Sequence, residues 1–340
     1  MISALPFPLT QARELVEPAL RDAVDRLDPT SRQVAAYHLG WVEADGRPTS
    51  ASGGKALRPA LALLSARAAG APADSGVPGA VAVELVHNFS LLHDDLMDGD
   101  VQRRHRATVW AVWGASTAIL VGDAMLATAQ QVLVDLEVPG GTPAARLLAA
   151  ATQELIRGQV ADLAFERRAT VSVEECLAMA AGKTGALLGC SAAIGAVLNG
   201  ASERLVTALT TYGDELGLAF QLVDDLLGIW GDGASTGKPV GADLRARKKS
   251  LPISFAVAAG GAASVELADW LATSGPDSDE EVSRATELVE AAGGREWAQA
   301  EAQRRLSAAE RALGETDIEA TIRDEFVELA RFVTTGRAEP

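Results

Sequence analysis

Cysteine is nearly absent: Cys176 and Cys190 are the only two, and both lie in alanine-rich, apolar surroundings. That excludes a disulfide framework and a thiolate metal site and leaves two buried thiols. Aromatic residues make up only 4% of the chain, and no alternating strand pattern of useful length occurs, which argues against a sheet protein. The N-terminus lacks the charged and apolar regions of a secretory leader. The most apolar stretch, residues 185–198, is shorter than the roughly 18–20 residues a bilayer span requires. A cytoplasmic protein with no transmembrane segment is therefore expected. Positive charge is also in deficit, with 30 Lys+Arg against 46 Asp+Glu and a net charge of −16. Nucleic acid is excluded as a partner on that ground.

Alanine and leucine are abundant, at spacings that predict helices over residues 11–27, 31–43, 55–69, 77–97, 116–136, 143–166, 173–198 and 203–230, with further short helices from Leu251 onward. Breaks fall at Ser52-Gly53-Gly54, Pro139-Gly140-Gly141 and residues 231–241. There is no repeat and no low-complexity linker, so one all-α domain over residues 1–340 is the simplest organisation. Residues 231–249 are rich in glycine and end in Arg245, Arg247, Lys248 and Lys249. An irregular segment of that length predicts a mobile flap that closes over something negative.

The basic residues are clustered, at Arg103, Arg104 and Arg106 and again at residues 245–249, which suits anionic small-molecule substrates. Asp94, Asp95 and Asp98 stand together after an apolar helical run, with Asp94 and Asp98 one turn apart on one face. Crowded carboxylates of this kind need cations, and hard oxygen donors suit Mg²⁺. Gln221, Asp224 and Asp225 form a second such group on another long helix, placed to face the first across a cleft. Basic sequence follows each group: Arg103 and Arg104 after the first, Lys238 and Lys248 after the second. Metals together with guanidinium and ammonium groups meet the needs of a departing diphosphate. Gly53-Gly54-Lys55 with Arg58 is not a nucleotide P-loop, because the glycine spacing and the terminal hydroxyl residue are wrong. Lys183 and Thr184 interrupt an apolar helix, where an unpaired lysine is costly.

Taken in order, Gly-Gly-Lys-x-Leu-Arg-Pro, His87-x6-Asp-Asp-x-x-Asp, Arg-Arg, Lys-Thr-Gly, Gln-x-x-Asp-Asp and Gly-Lys-Pro, spread over residues 55–252, resemble the trans-prenyl diphosphate synthases, or polyprenyl synthetases. The resemblance implies an isoprenoid-synthase helical bundle around a deep central cavity, in a homodimer. It implies Mg²⁺, three ions, on Asp94, Asp98 and Asp224, with Asp95 and Asp225 in support. Arg103, Lys183, Thr184, Gln221, Lys238 and Lys248 would hold an allylic diphosphate, and Lys55, Arg58, His87 and Arg104 the diphosphate of isopentenyl diphosphate. His93 is left as structural. Two departures stand out. Gly228 occupies the last position of a second motif that often reads Asp-Asp-x-x-Asp, and Ala56 replaces a common basic residue. Chain length is read from Phe89 and Ser90, one ring beside one small residue before Asp94. This predicts a twenty-carbon product, geranylgeranyl diphosphate, with the fifteen-carbon farnesyl diphosphate as the alternative. A class I terpene cyclase and a non-catalytic subunit of a heteromeric synthase are the rival readings.

Overall fold

The computed structural model describes residues 7–49, 56–231, 240–273 and 278–335, and the helical periodicity is realised throughout them. The helices are α1 (Phe7–Asp25), α2 (Pro29–His38), α3 (Leu57–Ala68), α4 (Val77–Met97), α5 (Val109–Trp113), α6 (Ala115–Val134), α7 (Gly141–Glu166), α8 (Val173–Ala180), α9 (Ala186–Leu198) and α10 (Glu203–Trp230). They continue as α11 (Ala242–Arg245), α12 (Leu251–Ala258), α13 (Ala262–Ala272), α14 (Asp279–Ala291), α15 (Gly294–Gly314) and α16 (Ala320–Thr335). The predicted limits of α4 and α10 match the structure. Three expectations are corrected. The predicted helix over 31–43 ends at His38, because Val42 bridges back to Pro48. The helices after Leu251 are not all short, since α15 has 21 residues. Residues 242–245, inside the segment read as irregular, form a helical turn.

Contacts divide the chain into two compact units. The first comprises residues 1–152, 190–210 and 316–329, and the second residues 153–189, 211–315 and 330–340. In the first unit α4 is packed by α1, α3 and α6. Val81, Val83, Leu85, Val86 and Leu92 on α4 are all buried, and a helix apolar on nearly every side is a core helix. Pro78 sits in its first turn, where a missing N–H costs nothing. Its end is set by Gly99, at φ 70°. The Gly99 N–H donates to the Leu96 carbonyl and the Asp100 N–H to the Asp95 carbonyl. This Schellman pair closes the last turn on the acidic cluster. The chain then reverses through a two-residue hairpin, β1 (Gln102–Arg103) and β2 (Arg106–Ala107), with Arg104 and His105 at positive φ in the turn. These are the only paired strands among the described residues, and no alternating pattern announces them.

The run from α8 to α9 is continuous but contains, in the second unit, a π turn at residues 181–185. Close backbone approaches hold this turn. A Cβ on Gly158 of α7 would lie 2.2 Å from the Lys183 nitrogen, and one on Gly217 of α10 would lie 2.5 Å from the Gly185 Cα. Only glycine allows backbones to meet at such range. A separate apolar cluster joins Ile229, Leu244, Ile253, Leu267, Val282 and Leu288, docking α11 against α10, α12, α13 and α14. Both cysteines are free and buried, as expected.

Two helical runs reach the length and apolarity of a membrane span, Ala115–Val134 and Val173–Leu198. The second corrects the expectation that no apolar segment is long enough, because α8 and α9 join. It is 72% buried inside the protein, as a core helix is.

Replacing Gly217 by alanine tests the close approach. Losing a glycine from a helix interior would by itself add roughly 0.5–1 kcal/mol of stability. Here the new methyl overlaps the Gly185 backbone, and overpacking costs about 1–3 kcal/mol. The urea midpoint of Gly217→Ala is expected to fall; a raised midpoint would show that the two helices spread at no cost.

Candidate functional site

Each unit carries its own group of functional side chains. In the first unit, Asp94, Asp95 and Asp98 occupy the last turn and C-cap of α4. This is the negative end of the helix dipole, which adds to their mutual repulsion. Asp95 is buried at 2% exposure, and its Oδ1 accepts a 2.6 Å hydrogen bond from Arg103 Nε. Burial pushes the Asp95 carboxyl up, Arg103 pulls it down, and Asp100 and Asp98 push it up again. The hairpin thus delivers Arg103 to Asp95, while Asp94 is partly exposed and Asp98 exposed.

Beside this pair the unit gathers cations. Burial holds His87 well below the ordinary imidazole range, reinforced by Arg58, Arg104, His38 and Arg103. His87 is therefore a neutral imidazole surrounded by positive charge. His38 is pushed down to about 3, by burial and by Arg103, Arg104 and Arg106, against a hydrogen bond with Asn88. A pocket is lined by His38, Asp95, Arg103 and Arg104 among others. Glu84 is partly buried beside Arg58, and its desolvation raises its carboxyl. Arg106 is consumed by structure: it donates to the Tyr37 and Val42 carbonyls and lies 4.2 Å over the Tyr37 ring. His93 also proves structural. Its Nε2 lies 3.2 Å from the Ile119 carbonyl, and the ring fills the space over Gly122.

In the second unit, residues far apart in sequence meet. Gly217 stands one turn before Gln221, and its contact with Gly185 brings Gln221 to Thr184, whose hydroxyl donates to Gln221 Oε1 at 2.9 Å. Gln221 Nε2 donates onward to Asp225 Oδ1 at 2.8 Å. The other Asp225 oxygen accepts the N–H of Leu251 at 2.9 Å. Leu251 opens α12, so the buried carboxylate caps a helix N-terminus, where negative charge is favoured. Burial pushes Asp225 up to about 6, with Lys248 opposing. Burial of Lys248 acts to lower its pKa, but Asp225, Asp243, Asp162 and Asp224 outweigh it and hold the ammonium charged. Gly158 likewise brings α7 against the π turn, and one turn later Asp162 Oδ2 accepts from Lys183 Nζ at 2.7 Å. Asp224 faces outward, exposed.

Of the basic residues ending the glycine-rich segment, only Lys248 joins this acidic group. Arg245 pairs with Asp279 at 2.5 Å, and Arg247 stacks 4.2 Å over Trp270. Lys249 Nζ donates to the Arg247 carbonyl at 3.2 Å. Lys55 and Lys238 lie outside the described residues. Sequence reasoning missed His38, Glu84, Asp162 and Asp243. Asp162 carried one signal: an acidic residue one turn after a glycine in an apolar helix.

The donors in both groups are carboxylate oxygens, the chemistry of a hard divalent cation. Among the described residues no three His, Cys, Asp or Glu side chains converge on one point.

A family model for polyprenyl synthetase matches residues 41–289. The chain is 56% identical over 299 residues to a (2E,6E)-farnesyl diphosphate synthase of Mycobacterium tuberculosis, covering 87% of this chain and 83% of that one. It is 45% identical over 306 residues to a geranylgeranyl diphosphate synthase of the same organism, covering 90% and 87%. It superposes on the crystal structure of a polyprenyl synthetase from Streptomyces coelicolor A3(2) with a TM-score of 0.93 and 55% identity, over 98% of this chain and 99% of that one.

Lys248→Met tests the electrostatics of the second group. It leaves Asp225 buried without its ammonium partner, which raises the folded-state pKa of Asp225 further above the unfolded value. A carboxyl with a raised folded pKa stabilises at low pH and loses that stability as pH rises. The variant is expected to lose more stability relative to wild type at pH 8 than at pH 5 in urea melts. An equal loss at both would show that Lys248 and Asp225 are not coupled.

Proposed function

The chain belongs to the polyprenyl synthetase family, with the all-α isoprenoid-synthase fold, and is a prenyl diphosphate synthase; from that premise we propose that it joins isopentenyl diphosphate to an allylic diphosphate and makes geranylgeranyl diphosphate. The observation that carries the reading is the meeting of Lys183, Thr184, Gln221, Asp225 and Lys248 in one hydrogen-bonded and charge-coupled group. Two ammonium groups, a hydroxyl and an amide gathered beside buried carboxylates support a site for a metal-bound anion. The reading takes residues 1–340 as one domain, supported by a single solved chain that matches 98% of it.

In this reading Lys183, Thr184, Gln221, Lys238, Lys248 and Arg103 hold the allylic diphosphate. Lys55, Arg58, His87 and Arg104 hold the diphosphate that stays in the product, and the presence of that second anion group argues against a cyclase. Mg²⁺, three ions on Asp94, Asp98 and Asp224, supplies the Lewis acidity that stabilises charge on the leaving diphosphate. Asp95 fixes Arg103, and Asp225 fixes Gln221 and Lys248. As the allylic C–O bond breaks, the isopentenyl double bond attacks the allylic carbon. A proton then leaves the new chain and is taken up by the released pyrophosphate. No side chain acts as a nucleophile, and water must be kept from the allylic cation as it forms.

Phe89 is 4% exposed, its ring edge-on to His93 at 5.5 Å. Ser90 is partly exposed, and its hydroxyl turns back to the His87 carbonyl at 2.8 Å, leaving a small, saturated side chain. One ring and one small residue support a tail of twenty carbons. The fifteen-carbon product is the second reading, favoured by the 56% identity to a farnesyl diphosphate synthase. A homodimer is proposed because α6 exposes Ile119, Leu120 and Val134, Leu120 at 65%, an apolar stripe that a second copy would cover. A cytoplasmic location is proposed from the ionic substrates.

Asp94→Ala or Asp224→Ala is expected to lower turnover by at least about 10²–10³, the scale of losing one charge-stabilising group. The helical circular dichroism should survive. Near-normal activity in either variant would sink the metal assignment.

Product length is tested by mass spectrometry with dimethylallyl, geranyl and farnesyl starters. Phe89→Ala is expected to lengthen the wild-type product and Ser90→Phe to shorten it. A distribution untouched by Phe89→Ala would place the floor elsewhere.

A further inference from the structure

We propose that Asp243 supplies the third carboxylate of the second acidic motif, and that Gly228 is the gap that admits it. The inference rests on the prenyl diphosphate synthase reading and concerns the position of the second acidic motif that departs from the family pattern. On α10, positions 224 and 228 are one turn apart and share a face. An aspartate at 228 would rise beside Asp224. Here the backbone is bare, and the space is filled from another element. A Cβ built on Gly228 would meet Asp243 Oδ2 at 2.4 Å, Cγ at 2.5 Å and Oδ1 at 2.8 Å. All three atoms belong to one carboxylate, so that group lies directly over the Gly228 Cα.

Asp243 is held there by three contacts. The Gly241 N–H donates to the Ile229 carbonyl at 3.2 Å, tying the start of α11 to the last turn of α10. The Lys248 N–H donates to the Asp243 carbonyl at 2.9 Å and closes the following turn. Leu244, the next residue, is fully buried in the cluster that contains Ile229. The carboxylate is thus positioned by backbone and by core. Asp243 and Asp224 both act on the Lys248 ammonium, so the carboxylate belongs to the same charged group as the motif it completes. A hydrophobic or larger residue at 228 would expel it.

A purely structural role for Asp243, as partner to Lys248, makes different predictions, and a charge swap separates the two. The variants are Asp243→Asn, Gly228→Asp and the double variant Gly228→Asp/Asp243→Gly. The first readout is Mg²⁺-dependent binding of inorganic pyrophosphate by calorimetry; the second is the Mg²⁺ dependence of turnover. Asp243→Asn is expected to weaken Mg²⁺-dependent pyrophosphate binding at least about tenfold, the scale for losing a group that supports a metal. Gly228→Asp alone should weaken it too, because two carboxylates compete for one place. The double variant should return to within about threefold of wild type. Pyrophosphate binding by Asp243→Asn at wild-type strength would overturn the proposal. So would a double variant that binds no better than Gly228→Asp, and that comparison decides the matter if Asp243→Asn does not fold. Failure of the wild-type protein itself to bind pyrophosphate with Mg²⁺ would instead count against the proposed function.

Discussion

Like charges forced together at the ends of apolar helices repel, and both functional groups of this chain are built around that repulsion. Neither unit dilutes the charge; each pins one carboxylate and leaves another facing out. In the first, Asp95 is buried against Arg103, and the reversal at Gly99 and the hairpin exist to bring that arginine back. In the second, Asp225 caps α12 and braces Gln221. The two buried carboxylates are the fixed members of their groups. Their neighbours Asp94, Asp98 and Asp224 keep the greater exposure.

Backbone proximity does the rest of the positioning. Where α7 and α10 approach the π turn, glycine lets main chain touch main chain. A hydrogen-bonding side chain then follows one turn further along each helix, Asp162 after Gly158 and Gln221 after Gly217. The contact sets the distance and the helical period sets the direction.

The helices were legible because their periodicity is strong and their breaks are glycine and proline; α4 and α10 emerged with the limits read for them. The acidic and basic motifs were legible because residue type and order carry their chemistry. What could not be read depends on tertiary contact. The hairpin of two-residue strands has no pattern to detect, and it decides that Arg103 faces Asp95 while Arg106 is spent on Tyr37 and Val42. Asp162 and Asp243 meet partners outside their own helices, so Asp162 carries only the glycine one turn before it as a local signal and Asp243 carries none. The run from Val173 was read as one helix, and the π turn inside it was invisible because its alanine and glycine residues suit either winding.

That π turn has a genetic consequence. A π turn is a helix carrying one residue more than its regular hydrogen bonding needs. An in-frame loss of a single codon anywhere within residues 181–185 would let the helix close into uniform α winding. The helices on either side would keep their facing, and only the residues of the turn itself would be drawn into a new register. Lys183 and Thr184 would no longer point to opposite neighbours, Asp162 on one side and Gln221 on the other. The segment should therefore accept substitutions among small residues far more readily than any change in its length.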